Sequence, residues 1–218
     1  MILPVVAYGD PVLKKKAKEI PQDYPKLNEL IENMFETMYA AYGVGIAAPQ
    51  IGLPIRLFVI DAAPFAEDED LSAEDKAQLK SLKKAFINPT IVEEVGDEWA
   101  FNEGCLSIPD VREDVFRKPE ITIEYYDQDF NKHTETYDGL AARVIQHEYD
   151  HIEGVLLEET NPLRYILIDN LKFILNNITN KITQTNPINW YFKKFNINSS
   201  SIYRLSKFEI LARLCHVL

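Results

Sequence analysis

The residues with the clearest chemical pattern in this sequence are His147, Glu148 and His151, which form a His-Glu-x-x-His motif. In a helix, four residues turn the chain by about 400°, so the two imidazoles would lie one turn apart on nearly the same face. Two neutral imidazoles in that arrangement can bind one divalent transition metal ion. Glu148 is offset from His147 by about 100°, which suits contact with a water molecule at the metal better than direct ligation. We therefore predict that Glu148 acts as a general base and acid.

The helix that must carry this motif is predicted from the residues before it. Leu140, Val144, His147 and His151 fall at i, i+4, i+7 and i+11, so the histidines continue an apolar face that would point inward. Buried imidazoles need partners for their polar nitrogens, and a metal ion supplies one for each. The motif alone leaves another interpretation open, in which it arises by chance on an amphipathic helix with solvated histidines.

A candidate third ligand, Cys105, lies upstream in the run from Glu103 to Ser107. A lone cysteine is most often a small buried apolar residue. Here it follows Gly104 and precedes turn-forming residues, a setting that suits a thiolate presented from the edge of a strand. Cys215 is the only other cysteine, so the sequence does not indicate a disulfide framework, and we expect a reducing cytoplasm.

A third unusual stretch runs from Gly43 to Gln50 and is small and apolar until it ends in a primary amide. Gly45 lets another backbone or a ligand come close and can adopt conformations closed to other residues. A helix end followed by a tight core loop would also explain the glycines. That interpretation does not explain why the stretch ends in the polar residue Gln50.

The remaining periodicity predicts the elements that surround these stretches. The predicted elements are a helix over residues 24 to 42 and strands over residues 55 to 60, 86 to 95 and 121 to 125. Pro89 favours an edge strand or the start of a strand. Residues 62 to 84 carry an acidic run and a surface helix from about residue 73, and we expect them to form an insertion on the rim rather than part of a site.

Composition limits the classes of function. The formal net charge of -11 disfavours a surface that binds nucleic acid. No apolar stretch approaches the roughly 18 residues of a membrane span, and the N-terminus lacks the features of a signal peptide. Residues 161 to 218 contain eight Lys or Arg, two Asp or Glu and no glycine. We therefore predict a domain over residues 1–160 that carries the motifs, followed by a helical tail over residues 161–218 without a chemical motif.

In their order and separations, the three stretches resemble the signature motifs of peptide deformylase, over about residues 1–160. The resemblance implies an α+β fold with small antiparallel sheets packed around a central metal-binding helix, where strand counting alone supports only a mixed class. It also implies an enzyme that removes the formyl group from the N-terminal methionine of newly made bacterial or organellar proteins. N-formylmethionyl nascent polypeptides would be its partners, and association with the ribosome is left open.

The resemblance also assigns roles to individual residues. Cys105, His147 and His151 would bind one metal ion, which in this family is typically Fe²⁺, with Zn²⁺ or Ni²⁺ forms also known; ligand chemistry alone would have favoured zinc. Glu148 would take a proton from water and pass it to the departing amine. The side-chain amide of Gln50 and the backbone N–H of Leu106 would stabilise the developing oxyanion.

Substrate binding and support of the metal site follow from the same resemblance. The backbone of Gly45 would pair with the substrate chain. Val44, Leu140 and Val144 would line the pocket for the methionine side chain. Arg117 and Asp150 match an ion pair beside a metal-binding histidine, where a carboxylate would orient an imidazole.

Two other classes of protein remain as alternatives. A zinc-dependent endopeptidase also uses His-Glu-x-x-His, but its third ligand usually lies downstream, where this chain offers the candidates Glu153, Glu158, Glu159 and His216. A non-catalytic, metal-stabilised binding module is the second alternative. The presence of Glu148 and Gln50, which structure alone would not demand, disfavours that module.

Overall fold

A computed structural model describes residues 1–156, except for the side chain of Asp110. Its helices are α1 (Leu27–Ala40), α2 (Ala73–Ser81) and α3 (Gly139–Glu153). Its strands are β1 (Gly45–Ala47), β2 (Leu57–Asp61), β3 (Lys83–Val95), β4 (Trp99–Cys105), β5 (Ile108–Arg117), β6 (Glu120–Tyr126) and β7 (Lys132–Asp138). The predicted boundary after residue 160 and the predicted tail lie outside the described residues.

The strands form two antiparallel sheets. Five of them pair in the order β1-β2-β3-β6-β7, so that β1 lies at one edge of the sheet, and β4 and β5 form a separate hairpin. Since side chains alternate between the faces of a strand, β2 contributes to both sides of the larger sheet. Phe58 and Ile60 pack in the core that includes α3, whereas Leu57 and Val59 pack with α1. The predicted α+β class is confirmed, with α3 packed on one face of the larger sheet.

The expectation that Pro89 marks an edge strand or a strand start is wrong. Pro89 lies within β3, which pairs with β2 on one side and β6 on the other. The register shifts between Ile87 and Thr90, and proline is tolerated at such an irregularity because no ladder hydrogen bond depends on its missing N–H. Next to it, Asn88 has a φ of 48° and bonds through its side chain to both the N–H and the carbonyl of Ile20.

The β4–β5 hairpin has little apolar core of its own. Its strands pair from Trp99 opposite Arg117 to Cys105 opposite Ile108. The apolar cluster around it contains only three buried residues among those described, Cys105, Ile108 and Val115. Polar contacts must therefore contribute much of the stabilisation that keeps the hairpin in place against the rest of the fold.

Helix α3 ends at Gly154, which adopts the left-handed conformation with a φ of 79°. A Cβ at this position would lie 2.9 Å from the backbone of Lys14, so glycine also permits the close approach of the N-terminal segment. In the part of the chain that the structure describes, no helix is long and apolar enough to cross a membrane.

Candidate active site

Three candidate metal ligands from two different elements meet at one point. Cys105 lies at the end of β4, and His147 and His151 lie one turn apart on α3. The ligand atoms of the three residues lie within 4.8 Å of one another, and Cys105 Sγ lies 3.3 Å from His151 Nε2. Tetrahedral sites with metal–sulfur distances of about 2.3 Å and metal–nitrogen distances of about 2.0–2.1 Å have ligand separations of this order. One thiolate and two imidazoles therefore fit a divalent transition metal ion.

The surroundings of the two histidines shift their pKa values in opposite directions. Burial lowers the pKa of His147, but its hydrogen bonds to Cys105 and Glu103 outweigh burial and raise the pKa to about 10, so a metal ion that binds this ring would replace a proton. Burial and the positive charges of His147 and Arg117 hold the pKa of His151 well below its usual value. His151 is therefore neutral at physiological pH, the form in which imidazole binds metals.

Glu103 occupies the position that orients one imidazole. Its Oε2 lies 2.9 Å from Nδ1 of His147, which leaves the Nε2 of that ring for a metal. Arg117 donates to both carboxylate oxygens of Glu103 at 2.8 and 3.0 Å, and it also donates to Asp150 at 2.7 Å. The predicted pair of Arg117 and Asp150 is present. The carboxylate on the imidazole, however, belongs to Glu103, and Asp150 is connected to His147 only through Arg117 and Glu103.

The carboxyl group of Glu148 is buried beside the metal ligands. Only 4% of Glu148 is exposed, and its Oε2 has no hydrogen-bond partner among the described residues. Burial raises the pKa of this carboxyl to about 7, with the positive charge of His147 acting in the opposite direction. A carboxyl with a pKa near neutrality can both accept and return a proton. Gly45 makes room for it, because a Cβ there would lie 2.4 Å from Glu148 Oε1.

The amide of Gln50 is oriented by the turn that follows β1. The backbone N–H of Ala47 donates to Gln50 Oε1 at 2.8 Å, within the short 3-10 turn Ala48–Ile51. With its oxygen engaged in this way, the amide directs Nε2 toward Cys105 Sγ, 3.6 Å away, and Ser107 Oγ, 3.4 Å away. The stretch that sequence analysis treated as a possible core loop is therefore an edge strand followed by a turn that points a donor at the ligand cluster.

These groups line one cavity of about 440 Å³. Its lining includes Gly45, Gln50, Cys105, Leu106, His147 and Glu148, together with the apolar residues Val44, Leu140 and Val144. The structure thus brings all of these predicted residues together. Among the predicted metal ligands, only His151, which is 2% exposed, does not line the cavity, and the supporting residues Arg117 and Asp150 also lie outside its lining. Phe65 also lines the cavity, so the expectation that residues 62 to 84 take no part in the site is wrong for this side chain.

Glu103 and Arg143 belong to the site but are not predicted from the sequence. The signal for Glu103 is its position two residues before Cys105, which places both side chains on the same face of β4. Arg143 lies one turn before His147 on α3, where a charged residue is usually solvated, so the sequence carries no signal for it. It is buried and also lines the cavity.

The arrangement combines three chemical capacities. A metal site with ligands from Cys105, His147 and His151 can activate a water molecule. Glu148 can transfer its proton, and the Gln50 amide can donate to a developing negative charge. The apolar side of the cavity can receive a side chain of the substrate. This set of groups fits the hydrolysis of an amide.

Comparison with known proteins identifies one family throughout. A family model described as polypeptide deformylase matches residues 2–164. A peptide deformylase from Christiangramia forsetii is 71% identical over 159 residues, which cover 73% of this chain and 81% of that protein. A peptide deformylase from Flavobacterium johnsoniae is 67% identical over a segment of the same length and with the same coverage.

The similar solved structures are also peptide deformylases. The crystal structure of peptide deformylase from Thermotoga maritima matches with a TM-score of 0.63 and 36% identity, covering 73% of this chain and 97% of that one. The crystal structure of a peptide deformylase from Synechococcus elongatus in complex with actinonin matches with a TM-score of 0.63 and 39% identity, covering 72% and 79%. The matched family segment contains every residue of the site described above.

Proposed function

The chain belongs to the peptide deformylase family, and from this premise we propose that it hydrolyses the formyl amide on the N-terminal methionine of newly synthesised proteins. One observation supports this conclusion most directly. The ligand atoms of Cys105, His147 and His151 cluster beside the buried carboxyl of Glu148, next to one cavity. The products are formate and a protein with a free N-terminal amine.

We propose that Cys105, His147 and His151 hold one metal ion and that this ion is Fe²⁺. When bound, a divalent ion at these ligands lowers the pKa of a water molecule and polarises a carbonyl. The donor set supports any borderline transition metal, including Zn²⁺ and Ni²⁺. Metal analysis of protein purified without oxygen tests the assignment, and stoichiometric zinc with little iron would contradict it.

Glu148 carries the proton in the proposed reaction. Its ionised carboxylate accepts a proton from the water molecule that attacks the formyl carbon. When the bond between that carbon and the methionine nitrogen breaks, Glu148 returns the proton to the departing amine. The pKa of about 7 supports this role, because the group can be ionised before the attack and can give up its proton afterwards.

Gln50 and Leu106 would stabilise the negative charge that develops on the formyl oxygen. The Gln50 amide is held by Ala47 with its Nε2 directed at the ligand cluster, which supports its role as a donor there. Leu106 lies in the turn between β4 and β5, directly after the cysteine ligand, and its backbone N–H would be the second donor.

The substrate chain would bind along the edge of the larger sheet. Among the described strands, β1 pairs only with β2, and Gly45 on β1 lines the cavity, so its backbone can pair with an extended peptide. Val44, Leu140 and Val144 form an apolar part of the lining suited to the methionine side chain.

Formate release from a formyl-methionyl peptide, by full-length protein purified without oxygen, tests this function. We expect release by the parent and its loss in Glu148→Ala with the metal retained. Cleavage of internal peptide bonds would favour an endopeptidase instead. Glu153, one candidate ligand for that class, is bonded to Arg56 at 2.6 Å and to Lys16 at 2.6 Å. The candidates Glu158, Glu159 and His216 lie outside the described residues.

The domain boundary and the location of the enzyme are further proposals. We propose that residues 1–160 are the catalytic domain, which the family match over residues 2–164 supports. A chain that ends at residue 164 should therefore release formate at close to the parental rate. Nascent substrates support a cytoplasmic enzyme, and co-sedimentation of the full chain with ribosomes tests whether it associates with them.

A further inference from the structure

Arg143 is a buried arginine on α3 that the proposed reaction does not use. Only 3% of the residue is exposed, and its guanidinium stacks on Trp99 with Cζ 4.2 Å from the ring centroid. A buried charge is costly unless its geometry and pairing are excellent, and Nε of Arg143 has no hydrogen-bond partner among residues 1–156. Apolar side chains fill such a space at lower cost. The guanidinium therefore needs an explanation other than packing.

The guanidinium of Arg143 bonds to both strands of the β4–β5 hairpin. Nη2 donates to the carbonyl of Trp99 on β4 at 2.7 Å, and Nη1 donates to the carbonyl of Val115 on β5 at 2.9 Å. Nη1 also lies 3.1 Å from Glu103 Oε1, the carboxylate that orients His147. Several donors in one rigid plane are a property of arginine that lysine lacks. A single side chain of α3 thus holds two strands and a carboxylate at once.

The position of this hairpin decides whether the metal ligands meet. β4 supplies Cys105, whereas α3 supplies His147 and His151, so the ligand set depends on how the two elements lie against each other. Within residues 1–156, the hairpin is not paired with a strand of the larger sheet, and few buried apolar residues surround it. Among the described residues, Arg143 is the side chain of α3 that makes several hydrogen bonds to the hairpin. His147 and Asp150 each make one bond to it, with Glu103 and Arg117 respectively.

We propose that Arg143 is a positioning residue that fixes the β4–β5 hairpin against α3 and so keeps the Cys105 thiolate in place beside the two histidines. Arg143 does not contact the ligand atoms of the metal site. It acts through the two strand carbonyls and through Glu103. The inference rests on the proposed function only in requiring a metal at this site.

Two variants and a matched control test the proposal in the full chain. Arg143→Met keeps an apolar side chain of similar length and removes every donor, whereas Arg143→Lys keeps the charge with a single donor group. Arg56→Met is the control. Arg56 is also a buried arginine that donates to a carbonyl, Pro89 O at 2.6 Å, and to a carboxylate, Glu153 at 2.6 Å, but it does not line the cavity.

The readouts are the rate at which protein loaded with Co²⁺ loses the ion to a chelator, the thiolate-to-cobalt absorption band, and hydrogen exchange of the β4 and β5 amides. We expect Arg143→Met to lose Co²⁺ about 10- to 100-fold faster than the parent, with a weaker thiolate band and faster exchange in the hairpin. For Arg143→Lys, the rate of Co²⁺ loss and the rate of hairpin exchange should lie between those of the parent and those of Arg143→Met. Arg56→Met should lower the thermal midpoint without accelerating metal loss.

Parental metal loss and parental hairpin exchange in Arg143→Met would overturn the proposal. So would equal acceleration of metal loss by Arg56→Met, since that would indicate general destabilisation. If Arg143→Met does not fold, the test rests on Arg143→Lys. Metal loss and hairpin exchange at the parental rates in Arg143→Lys would then overturn the proposal. A parent that holds its metal but releases no formate would overturn the proposed function and leave the positioning test intact.

Discussion

Replacing Glu103 with glutamine tests the charge network beneath the metal site. Glutamine has nearly the shape of a protonated glutamic acid, so the change removes the negative charge and keeps an acceptor for His147. In the parent, burial raises the pKa of Glu103, but hydrogen bonds from His147 and Arg117 outweigh burial and lower the pKa from 4.5 to about 2. At roughly 1.4 kcal/mol for each pKa unit, folding favours the ionised carboxyl by about 3 kcal/mol.

The pH dependence of this stabilisation follows from the lowered pKa. The stabilisation is fully present above the unfolded pKa of about 4.5 and is lost as the pH falls toward 2, where the native carboxyl itself takes up a proton. Glu103→Gln lacks this stabilisation at every pH. We therefore expect the variant to be about 3 kcal/mol less stable than the parent at pH 7, with a difference that shrinks below pH 4.5.

Urea unfolding, monitored by hydrogen exchange of the α3 and β4 amides, measures this difference in the region that contains Glu103 and its partner His147. Both proteins should be treated with a chelator, so that metal affinity does not contribute. Glu94→Gln, on an exposed carboxylate of β3, is the control and should change stability by no more than about 0.5 kcal/mol. A loss below about 1 kcal/mol for Glu103→Gln, or a loss that does not change down to pH 3, would refute the reasoning.

Three further predictions concern the reacting groups and their support. Glu148→Gln should retain the metal but release formate at least about 100-fold more slowly than the parent. In the parent, kcat/KM should decrease as the pH falls below about 7, because the protonated form of this carboxyl cannot accept a proton. A pH profile that stays flat to pH 5 would contradict this role. Gly45→Ala should lower kcat and destabilise the fold by about 1–3 kcal/mol, since the new Cβ would lie 2.4 Å from Glu148 Oε1. If this variant had the kcat and thermal midpoint of the parent, Glu148 would be able to move aside without an energetic cost. Asp150→Ala should weaken metal retention less than Glu103→Gln does, because Asp150 reaches His147 only through Arg117 and Glu103, and metal analysis after dialysis compares the two variants.

The parts of the site that could be predicted from sequence are those fixed by local geometry. The spacing of His147 and His151 determines that both side chains lie on the same face of any helix, and α3 forms where the apolar spacing indicated. The neighbours of Cys105 suited a thiolate at the edge of a strand, and Cys105 is the last residue of β4. The resemblance to a family supplied the pairing of this cysteine with the histidines, because no local rule brings β4 to α3.

The parts that could not be predicted depend on contacts between distant segments. Gln50 had no evident role in the sequence, since its direction is set by the N–H of Ala47 and its target lies 55 residues away. Arg143 would be read as a solvated charge until the carbonyls of β4 and β5 are placed around it. Phe65 reaches the cavity from a segment whose acidic composition indicated only a surface.

Within residues 1–156, β1 has no strand partner on its outer side, and this edge bears on how the protein avoids aggregation. A strand edge that is free to pair with a guest peptide is equally free to pair with another copy of the same chain, which is how many fibrils begin. Here the edge strand is only three residues long and begins at a glycine, so a second copy would gain few backbone hydrogen bonds. The opposite edge, β7, is longer but carries charged side chains such as Lys132 and Glu135, which discourage pairing of like strands. The proposed peptide-binding edge would thus stay accessible without offering a long template for self-association.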